Sequence, residues 1–251
     1  MIKVLVHGSN GKMGGHLITA LKNNAYNCVL AAGVDRLSDG KEDYPFYTKL
    51  TDVKESADCL IDFSFHGAIK CVLDYAISKN IAIIIATTGF TEEENEIIKE
   101  ASKIIPVFLS ANMSVGIALL IEFAKKSAKI FPDADIEIVE AHHNRKIDAP
   151  SGTAMMIASA IKEERANANF VYGRSGECKR KPNDIGIHAL RMANIVGEHE
   201  VLITTENQQL ILKHTAFDRA LLAEGAVNAA AFITGKPAGL YNMQDMLKNR
   251  L

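Results

Sequence analysis

Short apolar segments alternate with longer amphipathic segments over the first half of the chain. Apolar runs of strand length occur at residues 2–6, 28–34, 59–63, 81–86 and 107–109. Residues 81–86 are apolar without interruption, which is typical of a strand buried on both faces of a parallel sheet. Helical patterns at 13–22 and 67–78 lie between the strands, and a third helix is predicted to begin after Thr91, with Glu94 as its capping-box partner. This alternation predicts an α/β fold with a doubly wound parallel sheet.

The pattern changes after about Ser114. Further helices are predicted at 118–131, 153–164 and 220–233, and further strands at 135–141, 185–191, 199–205 and 209–215. Residues 135–141 alternate polar and apolar side chains, as a half-exposed strand does. Several strands in close succession predict a smaller α+β domain with an open mixed sheet. The uncovered face of such a sheet commonly packs against another subunit, so we expect an oligomer.

The composition restricts the class of partner and the compartment. The 251 residues include 28 Lys and Arg against 30 Asp and Glu, a formal net charge of −2, which argues against nucleic acid or an anionic membrane as the main partner. No apolar run reaches the ~20 residues of a membrane helix, and the N-terminus does not resemble a signal peptide. The four cysteines form no C-x-x-C pair, so we expect reduced thiols in a cytoplasmic protein without a zinc site.

The first predicted strand leads into a glycine-rich turn at residues 8–14, Gly-Ser-Asn-Gly-Lys-Met-Gly. Gly8 suits the tight turn, Gly11 lets the backbone approach a pyrophosphate, and Gly14 allows close contact between helix and strand. The spacing is G-x-x-G-x-x-G rather than the usual G-x-G-x-x-G, so an ordinary turn with spare glycines is the alternative. Because the turn follows a strand and opens a helix, it predicts a Rossmann-type dinucleotide site.

The end of the second predicted strand bears on the choice of cofactor. Asp35 lies 21 residues after Gly14 and is placed to accept hydrogen bonds from the adenine-ribose hydroxyls, which favours NADH. Arg36 could pair with a 2′-phosphate, which favours NADPH, or lie on the surface as a solvated side chain. Together the two residues predict the use of NADH, NADPH or both.

A second cluster of polar side chains precedes the helix predicted at 153–164. Two histidines, an arginine and a lysine lie within residues 142–146, and Ser151 is a candidate N-cap. The N–H groups of Gly152 and Thr153 would then point at a bound anion such as a carboxylate. Adjacent histidines on a strand point to opposite faces, so we expect no metal site. The alternative is a basic surface loop before a capped helix.

Six segments, in the same order along the chain, resemble those of the 4-hydroxy-tetrahydrodipicolinate reductase family, also called dihydrodipicolinate reductases. The strongest is residues 140–154, Glu-Ala-His-His-Asn-Arg-Lys-Ile-Asp-Ala-Pro-Ser-Gly-Thr-Ala. The other segments are the glycine turn at 8–14, Ile-Asp-Phe-Ser at 61–64, Ala-Thr-Thr-Gly-Phe at 86–90, Ser-Ala-Asn-Met-Ser-Val-Gly at 110–116 and Val-Gly-Glu-His at 196–199. The resemblance covers essentially the whole chain.

The resemblance implies a reaction and the residues that perform it. Hydride would pass from NADH or NADPH to the ring of 4-hydroxy-tetrahydrodipicolinate, with loss of water, in lysine and diaminopimelate biosynthesis. His142 matches the family's proton donor and acceptor and Lys146 its proton donor. The matches to its substrate-carboxylate contacts are His143, Gly152 and Thr153. The matches to its cofactor contacts are Gly8, Ser9, Asn10, Gly11, Lys12, Met13, Asp35, Arg36, Ala86, Thr87, Thr88, Ser110, Ala111, Asn112 and Met113.

The resemblance also implies an architecture. Residues 1–113 and 220–251 would form a discontinuous dinucleotide-binding domain, and residues 114–219 a substrate-binding domain that builds a homotetramer. Hinge closure would exclude water during the reaction. The chain departs from the family pattern after Arg191, where Met192 and Ala193 stand in place of small residues such as glycine. The departure concerns the local loop geometry rather than the chemistry.

Two other functions are compatible with parts of the pattern. Another two-domain nicotinamide oxidoreductase, such as an aspartate dehydrogenase, would explain the glycine turn but not the cluster at 142–146. A nucleotide-binding sensor without activity would have lost its proton donors, yet His142 and Lys146 are both present. For His7 and His199 the sequence indicates no more than structural roles.

Overall fold

The computed structural model describes residues 1–38 and 40–248. The chain divides into two compact units. The first comprises Met1–Ser114 and Arg219–Leu251, and the second comprises Val115–Asp218.

Strands and helices alternate through most of the first unit, whereas four strands follow one another without a helix at the end of the second. The strands are β1 (Ile2–His7), β2 (Cys28–Val34), β3 (Phe46–Tyr47), β4 (Cys59–Asp62), β5 (Ala82–Ile85), β6 (Pro106–Leu109), β7 (Asp135–His142), β8 (Asn169–Tyr172), β9 (Asp184–Arg191), β10 (Gly197–Thr204), β11 (Gln209–Ala216) and β12 (Gly239–Tyr241). The helices are α1 (Lys12–Lys22), α2 (Ile69–Lys79), α3 (Glu92–Ser102), α4 (Val115–Ile130), α5 (Gly152–Glu164), α6 (Ala220–Ile233) and α7 (Met243–Leu247). Short 3₁₀ turns occur at Ala25–Asn27, Leu50–Asp52 and His66–Ala68.

The first unit is built on a seven-stranded sheet in the order β12-β6-β5-β4-β1-β2-β3. Each neighbouring pair is parallel, as the strand–helix alternation predicts. In β5 the side chains of Ile83, Ile84 and Ile85 are fully buried, because helices cover both faces of a doubly wound sheet. Since β1 lies between β2 and β4, the strand order reverses at β1, the point at which such sheets bind ligands.

Helix α6 returns the chain to the first unit after the second is complete. It packs against α1 and against strands β4, β5 and β6. Its residues are apolar nearly all round, and eight of them are buried. A Cβ on Gly225 would lie 1.8 Å from the Met113 carbonyl oxygen, so only glycine allows this approach. The helix therefore supports the segment that follows β6.

The second unit contains a five-stranded mixed sheet in the order β11-β10-β7-β9-β8. Strands β7, β8 and β9 run parallel, whereas β10 is antiparallel to both β7 and β11. Along β7, Ile136 and Ile138 are buried in the core that includes α4 and α5. Glu137 and Val139 alternate with them and point to the other face, as the polar–apolar alternation predicts.

The shortest elements are absent from the sequence-based prediction. Strands β3 and β12 have two and three residues, too few to show a period, and β8 has four. Helix α7 has five residues, although its capping box between Asn242 and Asp245 is a local signal. The capping box of α3 between Thr91 and Glu94 is present as predicted.

Candidate active site

The glycine turn between β1 and α1 has the geometry that its sequence predicts. Gly8 adopts φ of +83°, and a Cβ there would lie 2.6 Å from the Phe63 carbonyl oxygen. A Cβ on Gly14 would lie 2.3 Å from the Gly8 carbonyl oxygen, so helix and turn pack too closely for any side chain. Gly11 is the N-cap of α1. The first backbone N–H groups of the helix are therefore available to an anion.

Asp35 ties this turn to the end of β2. Its carboxylate accepts hydrogen bonds from the Asn10 N–H at 3.0 Å and from the Arg36 N–H at 2.7 Å. The Arg36 guanidinium lies 5.6 Å from the centre of the Phe65 ring. The buried Ser9 hydroxyl has no hydrogen-bond partner within the described ranges. Such a hydroxyl is compatible with a bound polar ligand that would supply the partner.

A buried carboxylate at the end of β4 connects three neighbouring segments. Asp62 accepts hydrogen bonds from His7 Nδ1 at 2.7 Å, from the Ser64 hydroxyl at 2.7 Å and from the Thr87 hydroxyl at 2.8 Å. The sequence indicated no role for Asp62 and only a structural one for His7. The available signal was an acidic residue that ends an otherwise apolar strand, at the edge of the sheet where ligands bind.

The remaining predicted cofactor residues follow β5 and β6 at the same carboxyl edge of the sheet. The Ala86 N–H donates to the Asp62 carbonyl oxygen at 3.0 Å, and Thr88 is exposed. The Ser110 hydroxyl donates to the Asn112 carbonyl oxygen at 2.7 Å. The side chain of Met113 is buried. Residues 8–13, 35–36, 86–88 and 110–113 thus follow strands β1, β2, β5 and β6 at one edge of the sheet, while their contacts with a cofactor stay a prediction.

In the second unit, a buried carboxylate at the end of β7 binds a histidine, an arginine and a backbone amide. Glu140 Oε2 accepts from His142 Nδ1 at 2.6 Å and from Arg191 Nη1 at 2.8 Å. Its Oε1 accepts from Arg191 Nη2 and from the Ser151 N–H, both at 2.9 Å. Burial raises the pKa of Glu140, but hydrogen bonds from His142, Arg191 and Ser151 outweigh it and lower the pKa to about 2.

Ser151 joins this cluster to helix α5 and to β10. Its hydroxyl oxygen accepts the Ala154 N–H at 3.2 Å, which makes it the predicted N-cap, and lies 3.2 Å from His199 Nε2. Burial lowers the pKa of His199 to about 4, so its ring is neutral near pH 7. The rings of His142 and His199 meet edge to face at 5.2 Å.

The loop between β7 and α5 brings the candidate lysine to the helix N-terminus. Lys146 Nζ lies 2.8 Å from an Asp148 carboxylate oxygen. The Lys146 ammonium holds the pKa of Asp148 below its usual value. Gly152 and Thr153 begin α5 directly after the cap. His143 follows β7 and is half-buried. The predicted substrate residues are therefore adjacent.

Arg191, Gly197 and His199 belong to this cluster, although the sequence indicated no role for the first two and only a structural one for His199. The signal for Gly197 and His199 was their place in the matched segment 196–199. A Cβ on Gly197 would lie 3.2 Å from His142 Nε2, which explains the glycine. After Arg191, Ala193 adopts φ of 41°, a left-handed conformation that favours glycine, so the departure from the family pattern falls on a strained position.

No group of three or more His, Cys, Asp or Glu side chains is arranged to hold a metal ion in residues 1–38 and 40–248. Within the same ranges, no helix combines the length and the apolar character that a bilayer span requires.

Comparisons with known proteins agree over the length of the chain. Residues 2–113 match the family "Dihydrodipicolinate reductase, N-terminus" and residues 116–247 match "Dihydrodipicolinate reductase, C-terminus". The chain is 47% identical over 250 residues to the 4-hydroxy-tetrahydrodipicolinate reductase of Caldanaerobacter subterraneus subsp. tengcongensis, with 99% of each protein covered. It is 41% identical over 251 residues to the enzyme of that name from Clostridium tetani, with 99% of this chain and 98% of the relative covered.

A solved structure supports the same assignment. The dipicolinate-bound dihydrodipicolinate reductase from Paenisporosarcina sp. TG-14 matches with a TM-score of 0.82 and 26% identity, and the match covers 100% of both chains. The fold, the ordered motifs and the relatives agree. This chain belongs to the dihydrodipicolinate reductase family.

Proposed function

We propose that this chain reduces 4-hydroxy-tetrahydrodipicolinate to tetrahydrodipicolinate with hydride from NADH or NADPH, in lysine and diaminopimelate biosynthesis. The observation that carries the proposal is the pairing of the Asp148 carboxylate with the Lys146 ammonium, 2.8 Å away, in the loop that leads into α5. The loop thus already binds a carboxylate through its lysine, beside the helix N-terminus that a dicarboxylate substrate would use. His142 and its partner Glu140 end the strand that leads into this loop.

The first unit fits a dinucleotide cofactor. The glycine turn leaves no room for a Cβ at Gly8 or Gly14, and the buried Ser9 hydroxyl lacks a partner among the described residues. Asp35 would accept hydrogen bonds from the ribose hydroxyls of NADH, and Arg36 would pair with the 2′-phosphate of NADPH. We therefore assign cofactor binding to residues 1–113 and 220–251 and substrate binding to residues 114–219.

In the proposed reaction, substrate, reduced cofactor and a proton give tetrahydrodipicolinate, oxidised cofactor and water. NADH or NADPH, when bound, supplies the hydride that replaces the ring hydroxyl. His142 and Lys146 supply the proton with which the hydroxyl leaves as water. His143, Gly152 and Thr153 hold the two carboxylates, because backbone N–H groups at a helix N-terminus and a nearby imidazole favour anions.

We also propose a cytoplasmic homotetramer. The four cysteines are free thiols, as is typical of a reducing compartment. The five-stranded sheet ends at β11, where Leu210 and Ile211 are exposed, so this edge could pair with another copy. Light scattering in solution would test the tetramer, and a monomer at assay concentration would contradict it.

The decisive experiment follows the oxidation of NADH and of NADPH by the purified protein. The substrate is generated in situ from pyruvate and aspartate semialdehyde by the preceding synthase. Lys146→Ala should reduce the rate roughly 100-fold or more, whereas Lys126→Ala, which changes a surface lysine paired with Glu122 in the same unit, should not. If a folded, nucleotide-binding wild-type protein oxidised neither cofactor, the proposed reduction would be wrong.

A further inference from the structure

The carboxylate of Glu140 has each of its oxygens occupied by two donors. Oε2 binds His142 and one arm of the Arg191 guanidinium, and Oε1 binds the other arm and the Ser151 amide. The side chain is fully buried. Its three partners come from β7, from β9 and from the start of α5. Four donors around one carboxylate fix its orientation. The Glu140 carboxylate therefore holds the His142 ring firmly.

This arrangement fixes which nitrogen of His142 can exchange a proton. Because an ionised carboxylate only accepts hydrogen bonds, Nδ1 of His142 must carry its hydrogen toward Glu140. Nε2 is then the nitrogen that is left for proton exchange. Gly197 matches this requirement, since a Cβ at that position would crowd Nε2 at 3.2 Å. Glu140 thus sets the tautomer of the ring at Nδ1, and the missing side chain of Gly197 leaves space beside Nε2.

Arg191 changes the electrostatic effect of the carboxylate. A lone buried Glu140 would strongly favour the imidazolium form of His142, because opposite charges attract strongly in a medium of low dielectric constant. The guanidinium contacts both carboxylate oxygens and partly cancels that charge. The other titratable groups in this cluster are His199, His214, Lys146 and Asp148. Glu140 and Arg191 therefore act on His142 with opposite sign.

We propose that Glu140 is a positioning residue for His142, which holds the ring in the Nδ1–H tautomer, and that Arg191 offsets its charge so that the ring can both give and take a proton. The inference rests on the proposed function, because it takes His142 as the group that exchanges the proton. It predicts that removing either charge changes kcat, which depends on proton transfer, more than it changes KM.

A purely structural role for Glu140 makes a different prediction, and the same strand offers a matched control. Glu137 accepts from Arg174 at 2.7 Å and from His188 at 2.7 Å, and it also pairs with Arg180. It is therefore a carboxylate with two arginines and a histidine, but it does not touch His142. Glu137→Gln measures what the loss of such an ion cluster does to the fold and to the assembly.

The kinetic test compares Glu140→Gln, Arg191→Met and Glu137→Gln over a range of pH. Glu140→Gln should lower kcat roughly 10- to 100-fold with KM within about 3-fold of wild type. The pH profile of kcat should move toward lower pH in Glu140→Gln and toward higher pH in Arg191→Met, because the two substitutions remove charges of opposite sign beside the ring. Glu137→Gln should leave the pH profile in place. Shifts in the same direction, or a change in KM alone, would overturn the proposal.

A second measurement needs no variant in the buried cluster and covers the case in which Glu140→Gln does not fold. In wild-type protein labelled with ¹⁵N-histidine, the ring nitrogens of His142 are assigned by the signal lost in His142→Asn. We expect Nδ1 protonated and Nε2 unprotonated in the neutral ring, with or without dipicolinate. An Nε2–H tautomer would overturn the inference even if the protein is an active reductase. An inactive wild type with the expected tautomer would instead count against the proposed function.

Discussion

The ammonium group of Lys146 lies 2.8 Å from a carboxylate oxygen of Asp148, two residues further along the same loop. This ammonium holds the pKa of the Asp148 carboxyl below its usual value. Lys146 is the proposed proton donor and belongs to the same loop as the residues assigned to the substrate carboxylates. An internal carboxylate therefore occupies this cation, and a substrate carboxylate must compete with it.

Competition predicts that removing the charge of Asp148 strengthens the binding of dicarboxylates. In Asp148→Asn, Lys146 no longer holds an anion, so we expect dipicolinate to bind about 3- to 10-fold more tightly, roughly 1 kcal/mol. Isothermal titration calorimetry with dipicolinate measures this.

Glu163→Gln is the control for Asp148→Asn, because Glu163 pairs with Lys125 at 2.6 Å on the surface of the same unit. Its affinity for dipicolinate should match the wild type. Unchanged or weaker binding in Asp148→Asn would show that the internal pair does not compete with substrate.

Replacing Gly197 should lower kcat more than it lowers the affinity for dipicolinate. An added methyl group would lie 3.2 Å from His142 Nε2, a separation that forces one of the two groups to shift by a few tenths of an ångström. Because small displacements of a proton donor are costly, we expect Gly197→Ala to lower kcat roughly 10-fold or more. Dipicolinate affinity serves as the internal control and should stay within about 2-fold. A variant with wild-type kcat would contradict the assigned position of Nε2.

The choice between NADH and NADPH should depend on two neighbouring residues. In Arg36→Ala a cation is removed, so KM for NADPH should rise several-fold while KM for NADH stays nearly constant. In Asp35→Asn a carboxylate that would repel a 2′-phosphate is removed, so the ratio of kcat/KM with NADPH to kcat/KM with NADH should rise. Steady-state kinetics with each cofactor measures this ratio for both variants. If neither substitution altered the ratio, the adenine ribose would not lie at the end of β2.

The low pKa of Glu140 predicts a contribution to stability that is lost in acid. The group titrates at about 2 in the folded protein against an ordinary value of 4.5. Its stabilising effect is therefore complete above about pH 4.5 and declines as the pH falls toward 2, with an upper size of roughly 3 kcal/mol. The difference in Tm between wild type and Glu140→Gln, measured from pH 7 down to pH 3, should shrink as the pH falls. A difference that does not change with pH would contradict the ion-paired state.

Local sequence signals predicted most elements near their observed bounds. The observed β2 (Cys28–Val34) and α6 (Ala220–Ile233) coincide with the predicted segments. The caps at Thr91 and Ser151 are also present as predicted. These features depend on residues within about four positions of one another, so one sequence is enough to reveal them. Elements of two to five residues lack that signal, and β3 and β12 depend on their neighbours in the sheet for their existence.

By itself, the sequence determined the two sheets, the glycine turn, the helix cap and the identity of the residues near the anion site. Only the tertiary structure decided which groups act on His142. Arg191 lies 51 positions from Glu140 in the chain, and His199 lies 48 positions from Ser151. Periodicity carries no information about contacts at such separations, because they arise when β9 and β10 pair with β7 on either side. The residues proposed to react are therefore close together in the sequence, whereas the groups that set their charge are brought to them by strand pairing in the sheet.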